Sequence, residues 1–356
     1  MPGRGGRAFR GSITNVGSGK GDGLGPLHNA TSCADCHRGG GAAGVQRNVT
    51  LITVDPRSEA VTDATFEHAQ QLFDVFSGLL NERGNLTIET VVHNRSTHDG
   101  YDKIRNHLAD YVPGRIDDAW FAPEKRTSKA VAERPVIAGR HADVDFYLSQ
   151  RNPPPLFGLG LIDRISPQRL VWMAEEQAKK TEGRVTGRVA MKFGWRGQIA
   201  SLSEFVSLAC AAELGLTQMS ALQSGDPANV WYTPPGMDMT KNDVARLTSF
   251  VSSLPVPIED PQGHHTQDDV FDGERVFNSV GCVDCHVPDV NPVLNLFSDL
   301  LLHDMGAELQ AASPAPVGRA RLAGTLKLER YQIRGPFSGA TAGYFSGSIS
   351  PTYSTA

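Results

Sequence analysis

The chain has 356 residues, 40% of them apolar, which is enough for ordinary globular cores and for about two domains. A formal net charge of -5 gives no basis for nucleic acid or an anionic membrane surface as a partner. No run of about 18 apolar residues occurs, so no transmembrane helix is expected.

The first residues, MPGRGGRAFRGS, are basic and glycine-rich without an apolar h-region. They do not read as a signal peptide, and residues 1–20 are expected to be disordered. Residues 21–42 read as a loop entering a short helix that holds CADCH at 33–37. The Gly-rich run after His37 lets backbone pass close to a bound group. Residues 50–53 read as a short apolar strand, 66–80 as a helix and 87–93 as a strand. A His-bearing stretch follows, with His93, His98 and His107. The triplet Pro153–Pro155 must be extended. Ser166 followed by Pro167 is a cap with a first-turn proline, opening a helix over 167–180. A second helix covers 202–214. A third covers 240–254, opened by a capping-box-like pair, Thr240 and Asp243, and stopped by Pro255 and Pro257. Residues 255–266 read as a linker, and a helix over 268–279 leads into CVDCH at 282–286. The fold expectation is mainly α, in two domains with long loops and one of these motifs in each, the first carrying an insertion. They span 21–254 and 267–356.

C-x-x-C-H is the attachment signature of c-type haem. Two thiols three residues apart lie on one side of a helical turn and form thioethers to the two vinyl groups of one porphyrin. The adjacent His points its imidazole at the iron. The reading assigns Cys33, Cys36, Cys282 and Cys285 to covalent attachment of two haems c, and His37 and His286 to proximal ligation. Two C-x-x-C pairs sharing one zinc usually lie about 15–20 residues apart, whereas nearly the whole chain separates these. A thioredoxin-like pair wants a βαβ context and needs no His. The fifth cysteine, Cys210, reads as a buried structural thiol.

Several phrases around the motifs resemble the bacterial di-haem cytochrome c peroxidase-like proteins, and within them the di-haem oxidoreductase or thiol oxidoreductase branch. They are GDGLGPLHNATSCADCH, SQRNPPPLFGLGLID, KFGWRGQIASLSEFVSLACAAELGLT, GERVFNSVGCVDCHVPDV and FSDLLLHDMG. The resemblance implies two cytochrome c-like helical domains about a shared interface. One haem would accept electrons from a redox partner protein or small donor, and the other would reduce peroxide or oxidise substrate. It also implies a periplasmic or otherwise extracytoplasmic home, reached with a leader missing from this sequence. The tail, TAGYFSGSISPTYSTA at 341–356, keeps the aromatic pair Tyr344-Phe345 but has Ser346-Gly347 where the family usually has His-Asp. The second domain therefore reads as incomplete at its C-terminus.

Each iron has a second axial position. For the second haem the candidates are His303 and Met305, weighed against a hydrogen-bonding His303 and a packing Met305. For the first, His68, His93, His98 and His107 compete, with His28 given a pocket role. Trp195 is read either as an aromatic between the haems or as core, and Arg196 either as a propionate partner or as solvated. Met237 and Met239 read as packing residues. Glu204 and Glu213 are acidic candidates for proton handling, and the sequence singles out neither, so no catalytic residue is assigned. The function expected is electron transfer as a peroxidase-like oxidoreductase. A non-catalytic carrier with both haems six-coordinate is the alternative, and a haem-bearing structural or sensory module a third.

Overall fold

The computed structural model describes residues 21–63, 65–80, 86–114, 120–128, 136–194, 197–229, 231–256 and 266–305. The expected disorder of 1–20, residues Trp195 and Arg196, most of the linker and the 341–356 tail lie outside the described residues.

The chain opens with a two-residue strand, β1 (Leu27–His28), and a single helical turn, α1 (Cys33–Cys36). Next comes β2 (Val49–Val54), whose sequence VTLITV is rich in β-branched residues suited to a pleated surface. Two helices follow, α2 (Glu59–Thr62) and α3 (Phe66–Val75). Then come β3 (Glu89–Val92), β4 (Arg95–Ser96) and α4 (Tyr101–His107). A hairpin is made by β5 (Val136–His141) and β6 (Val144–Arg151). The remaining helices are α5 (Leu159–Asp163), α6 (Pro167–Lys180), α7 (Leu202–Leu214), α8 (Lys241–Ser252) and α9 (Gln267–Ser279).

The expectation of a mainly α chain built from two cytochrome c-like haem domains does not hold. Among the described residues 40% are helical and 16% strand, with sheets of two and four strands. The larger sheet is fully antiparallel in the order β3-β2-β6-β5, with Ile52 opposite both Thr90 and Leu148. What reads in sequence as an insertion is thus an α+β layer with its own core. In β6, buried Val144, Phe146 and Leu148 alternate with less buried Asp145 and Tyr147, as the period-2 pleat requires. They pack with Ile52, Val54, Leu72 and Phe76. Arg126 lies in this layer at 1% exposure. It donates to the carbonyls of Asn48 (2.6 Å) and Trp120 (3.0 Å), to Asn94 Oδ1 (3.0 Å) and to Thr50 Oγ1 (3.3 Å).

A second core is helical. Leu202, Val206, Cys210 and Leu214 of α7 pack with Val244, Leu247 and Val251 of α8 and with Leu156, and Cys33 and Cys36 lie against this cluster. A third, smaller core joins Leu170 and Met173 of α6 to Val290 and Val293 after the second motif. The caps form as their residue types dictate. Ser166 Oγ accepts from Arg169 N (3.2 Å), and Asp243 Oδ2 accepts from Thr240 N (3.0 Å).

The segment before the first motif is laid along the end of α7. Gly25 N donates to Gly215 O (3.1 Å) and Asn29 N to Glu213 O (2.8 Å). Gly215 closes α7 with a φ of 64°, and a Cβ there would stand 2.7 Å from both Gly25 N and Leu27 O. A left-handed cap and a backbone-to-backbone approach both demand glycine. Gly215→Ala is expected to cost about 2 kcal/mol or more, from the strained φ and the overpacking together. A urea unfolding midpoint unchanged from wild type would contradict this.

Candidate cofactor sites at the two motifs

The first motif begins at a tightly fixed N-terminus. Asp35 Oδ2 accepts from Thr31 N (3.0 Å), Thr31 Oγ1 (2.9 Å) and Ser32 N (3.2 Å). Burial opposes ionisation of Asp35, but the Thr31 and Ser32 hydrogen bonds win and hold its carboxyl below the ordinary value. α1 then carries Cys33 and Cys36 on one turn, and His37 N donates to Cys33 O (2.8 Å). Burial pushes the Cys33 thiol up to about 12 and the Cys36 thiol up to about 11. Reactive dithiols sit at the opposite end of the scale, so a redox-switch reading loses ground here. Burial also pushes the Cys210 thiol up, and Cys33 lies close enough to add to the effect.

His37 sits where the Pro-rich segment crosses. Leu156 N donates to Gly40 O (2.8 Å), and the Phe157 ring leaves no room for a Cβ on Gly40. The His37 ring lies beside backbone groups of Pro154 and Gly41, yet its buried Nδ1 has no hydrogen bond of normal geometry. Burial lowers its basicity, so the ring is held toward the neutral form an iron ligand needs.

The second motif repeats the backbone turn. After α9, Gly281 at φ 88° leads into a 3₁₀ turn, Cys282–Asp284, and His286 N donates to Cys282 O (2.9 Å). His286 Nδ1 lies 3.1 Å from Phe297 O. A carbonyl oxygen only accepts, so Nδ1 carries the proton and Nε2 keeps its lone pair. This is the outer-shell arrangement usual for a metal-bound histidine. The surroundings differ from those of the first motif. Cys282 and His286 are exposed, and Phe271, Val276, Val280, Leu294 and Phe297 leave apolar surface in water.

Of the two distal candidates here, His303 is committed. Its Nε2 lies 2.8 Å from Asp299 Oδ2, which also accepts from Gln177 Nε2 (2.6 Å). Met305 is 64% exposed. Around the first motif the four histidines separate. His68 caps α3 through Thr65 and the Asp63 carbonyl. His98 Nδ1 lies 2.5 Å from Asp226 Oδ2. His107 bonds Asp110 and Tyr111 at an exposed helix end. His93 alone among the four reaches α7, with Nε2 2.8 Å from Ala212 O. His28 is buried close by, close enough to disfavour charge on His93. Each of these two has a buried Nδ1 without a partner. Met239 is buried in the helical core, whereas Met237 is exposed. Glu204 is exposed at the start of α7, whereas burial pushes the Glu213 carboxyl up, against a 2.6 Å hydrogen bond from Asn29 Nδ2. Glu213 is also near enough to Cys36 to add to the upward push that burial gives that thiol.

Burial lowers His93 to about 4, below its unfolded value near 6.5. Between those values the unfolded chain binds the proton and the folded chain does not, so stability rises with pH there. Acidification from pH 6.5 to 4 is expected to remove about 3 kcal/mol through His93, at 1.36 kcal/mol per unit. Urea midpoints measured against pH should therefore flatten in His93→Gln. Equal slopes in the two proteins would contradict the assignment.

No family model, curated protein or solved structure matches the chain. No helix among the described residues is long and apolar enough to cross a membrane.

Proposed function

We propose that the chain is a c-type cytochrome carrying two covalently attached haems, at Cys33/Cys36/His37 and Cys282/Cys285/His286, and that it works in electron transfer as a peroxidase-like oxidoreductase. The observation that carries this reading is the shared turn of the two motifs. In each, the histidine N–H closes onto the carbonyl of the first cysteine, at 2.8 and 2.9 Å. The His286 tautomer, fixed by Phe297, adds to it. Haem held there supplies a one-electron centre and, where the sixth position is open, a place for peroxide to react.

The two sites divide the work by exposure. The second motif lies in water and suits electron exchange with a redox partner protein or small donor. The first is sheltered by α7, α8 and the Pro-rich segment, and suits chemistry that excludes water. Since α6 bonds the second motif through Gln177 and Asp284 (2.7 Å), it belongs functionally with the second haem. Of the two distal candidates, Met305 would be the one to supply a further ligand to a haem held there, since His303 is engaged by Asp299. The resemblance to di-haem peroxidase-like proteins and an extracytoplasmic home belong to the same proposal.

One observation favours the non-catalytic carrier instead. His93 donates Nε2–H to Ala212 O, so its buried Nδ1 bears a lone pair with no donor and would be the nitrogen able to serve as a second ligand to a haem at the first motif. The test is expression with a haem-maturation system. A pyridine haemochrome count of two is expected, and zero overturns the proposal. An EPR spectrum with one high-spin haem, in the oxidised or half-reduced protein, supports the oxidoreductase. Low-spin signals in every redox state support the carrier. Met305→Ala is expected to convert the second haem to high spin and lower its potential.

A further inference from the structure

Beside the second motif three donors of different chemistry converge. Cys285 Sγ, a carboxylate oxygen of Asp299 and a ring nitrogen of His303 all lie within 4.8 Å of one another. The backbone assembles them. Asp299 N donates to Cys285 O (3.0 Å) and Ser298 N to Val287 O (3.0 Å), so residues 298–303 run beside the motif. Leu302 and Arg188 exchange backbone hydrogen bonds at 2.9 and 2.8 Å and anchor the far end.

The carboxylate is fixed before any ion arrives. Asp299 is 4% exposed, with Oδ1 accepting from Leu301 N (2.9 Å) and Oδ2 from Gln177 Nε2 (2.6 Å). Such outer-shell bonds orient a metal-binding carboxylate. Asp284 adds a further carboxylate beside the thiol, itself 3.2 Å from Lys180 Nζ. A thiolate, an imidazole and a carboxylate suit zinc-class ions and not magnesium or calcium, and three protein donors leave one tetrahedral position for water.

We propose that, before haem is attached at the second motif, Cys285, Asp299 and His303 bind one zinc-class divalent ion, which withholds the Cys285 sulfur from attachment. The first clause stands without the haem reading, and the second rests on it. Metal binding releases the thiol proton. In attachment, the Cys285 S–H adds across a vinyl double bond, sulfur to one carbon and hydrogen to the other. The thioether so formed carries no charge for a metal, so the two fates of Cys285 exclude each other.

The test uses the full chain made without haem maturation, stripped with chelator and titrated with Co²⁺ as a coloured stand-in for Zn²⁺. One ion with a thiolate-to-cobalt band is expected, displaced by Zn²⁺. The band should vanish in Cys285→Ser, weaken at least tenfold in His303→Gln and Asp299→Asn, and persist in Cys282→Ser. Circular dichroism of each variant separates lost binding from lost folding. No band in the wild-type chain, or a band that needs Cys282 and survives His303→Gln, overturns the site. Saturating Zn²⁺ should slow iodoacetamide labelling of Cys285 at least tenfold and leave Cys282 unprotected. Equal Cys285 rates with and without Zn²⁺ overturn the withholding. Haem at both motifs with no cobalt site in the haem-free chain defeats this proposal alone. A cobalt site in a chain whose second motif never takes haem defeats the haem reading and the withholding with it, and leaves the metal site standing.

Discussion

Serine at Cys282 and Cys285 is expected to lower the covalent haem count from two to one while leaving most of the thermal stability in place. Serine at Cys33 and Cys36 is expected to lower the count equally and to cost several degrees of melting temperature besides. The asymmetry follows from the packing. Cys33 and Cys36 lie against Leu156, Val206, Leu214 and Leu247, where a hydroxyl without a partner costs about 1–3 kcal/mol. Cys282 stands in water, so a hydroxyl there is solvated. Mass spectrometry of the intact chains reads the haem count, and a melt of the same samples reads the cost. Equal melting temperatures for the two double variants would refute the packing argument. An unchanged haem count in either would refute attachment at that motif.

Arg126→Met is expected to be the most damaging single change outside the motifs, at about 3 kcal/mol or more. The guanidinium is enclosed, and oxygens of Asn48, Thr50, Asn94 and Trp120 accept from it. Burial brings it down to about 10, the fingerprint of a cation out of water. Removing it strands the acceptors on Asn48, Thr50, Asn94 and Trp120, and each unsatisfied buried acceptor costs about 1–3 kcal/mol. Asn94 N also donates to Asn29 Oδ1 (2.8 Å), which ties this layer to the approach of the first motif. Equilibrium unfolding in urea should show the loss. A midpoint within error of wild type would mean that water takes the place of the guanidinium.

The elements legible in the sequence were those with chemistry at their ends. Ser166 and Pro167 open α6, Thr240 and Asp243 open α8, and both helices start within a residue of where their caps point. The strand at 50–53 is the middle of β2, and 87–93 contains β3. The β5–β6 hairpin was not legible. Its turn carries Ala142 at φ 48°, with no glycine or asparagine to mark it, and β5 contains a glycine that weakens the strand pattern. Missing that hairpin is what made the chain read as mainly α. The helix expected over 66–80 ends at Val75, where Phe76 turns to extended backbone to reach the sheet core.

The motifs themselves needed no structure to find, since their spacing is the chemistry. Their supporting groups did. Asp299 sits four residues before His303, a spacing that hints at a pair only once both are seen on one bent segment. Gln177 reaches Asp299 from 122 positions away, and no local pattern carries that. Glu213 and Glu204 look alike in sequence, and only burial separates them.

The two motifs differ in how much of the chain must exist before each is complete. His286 meets Phe297 eleven positions on, and His303 meets Asp299 four positions back. The approach to the first motif is clamped by Asp238, whose Oδ1 accepts from Gly23 N across 215 positions. A chain that emerges from a ribosome or a translocon N-terminus first therefore presents Cys33 and Cys36 long before α7 and α8 arrive to cover them. Any enzyme that modifies those thiols has its opening in that interval, on a nascent chain. The second pair stays reachable after folding is done, so the motif made last is also the one that can be served last.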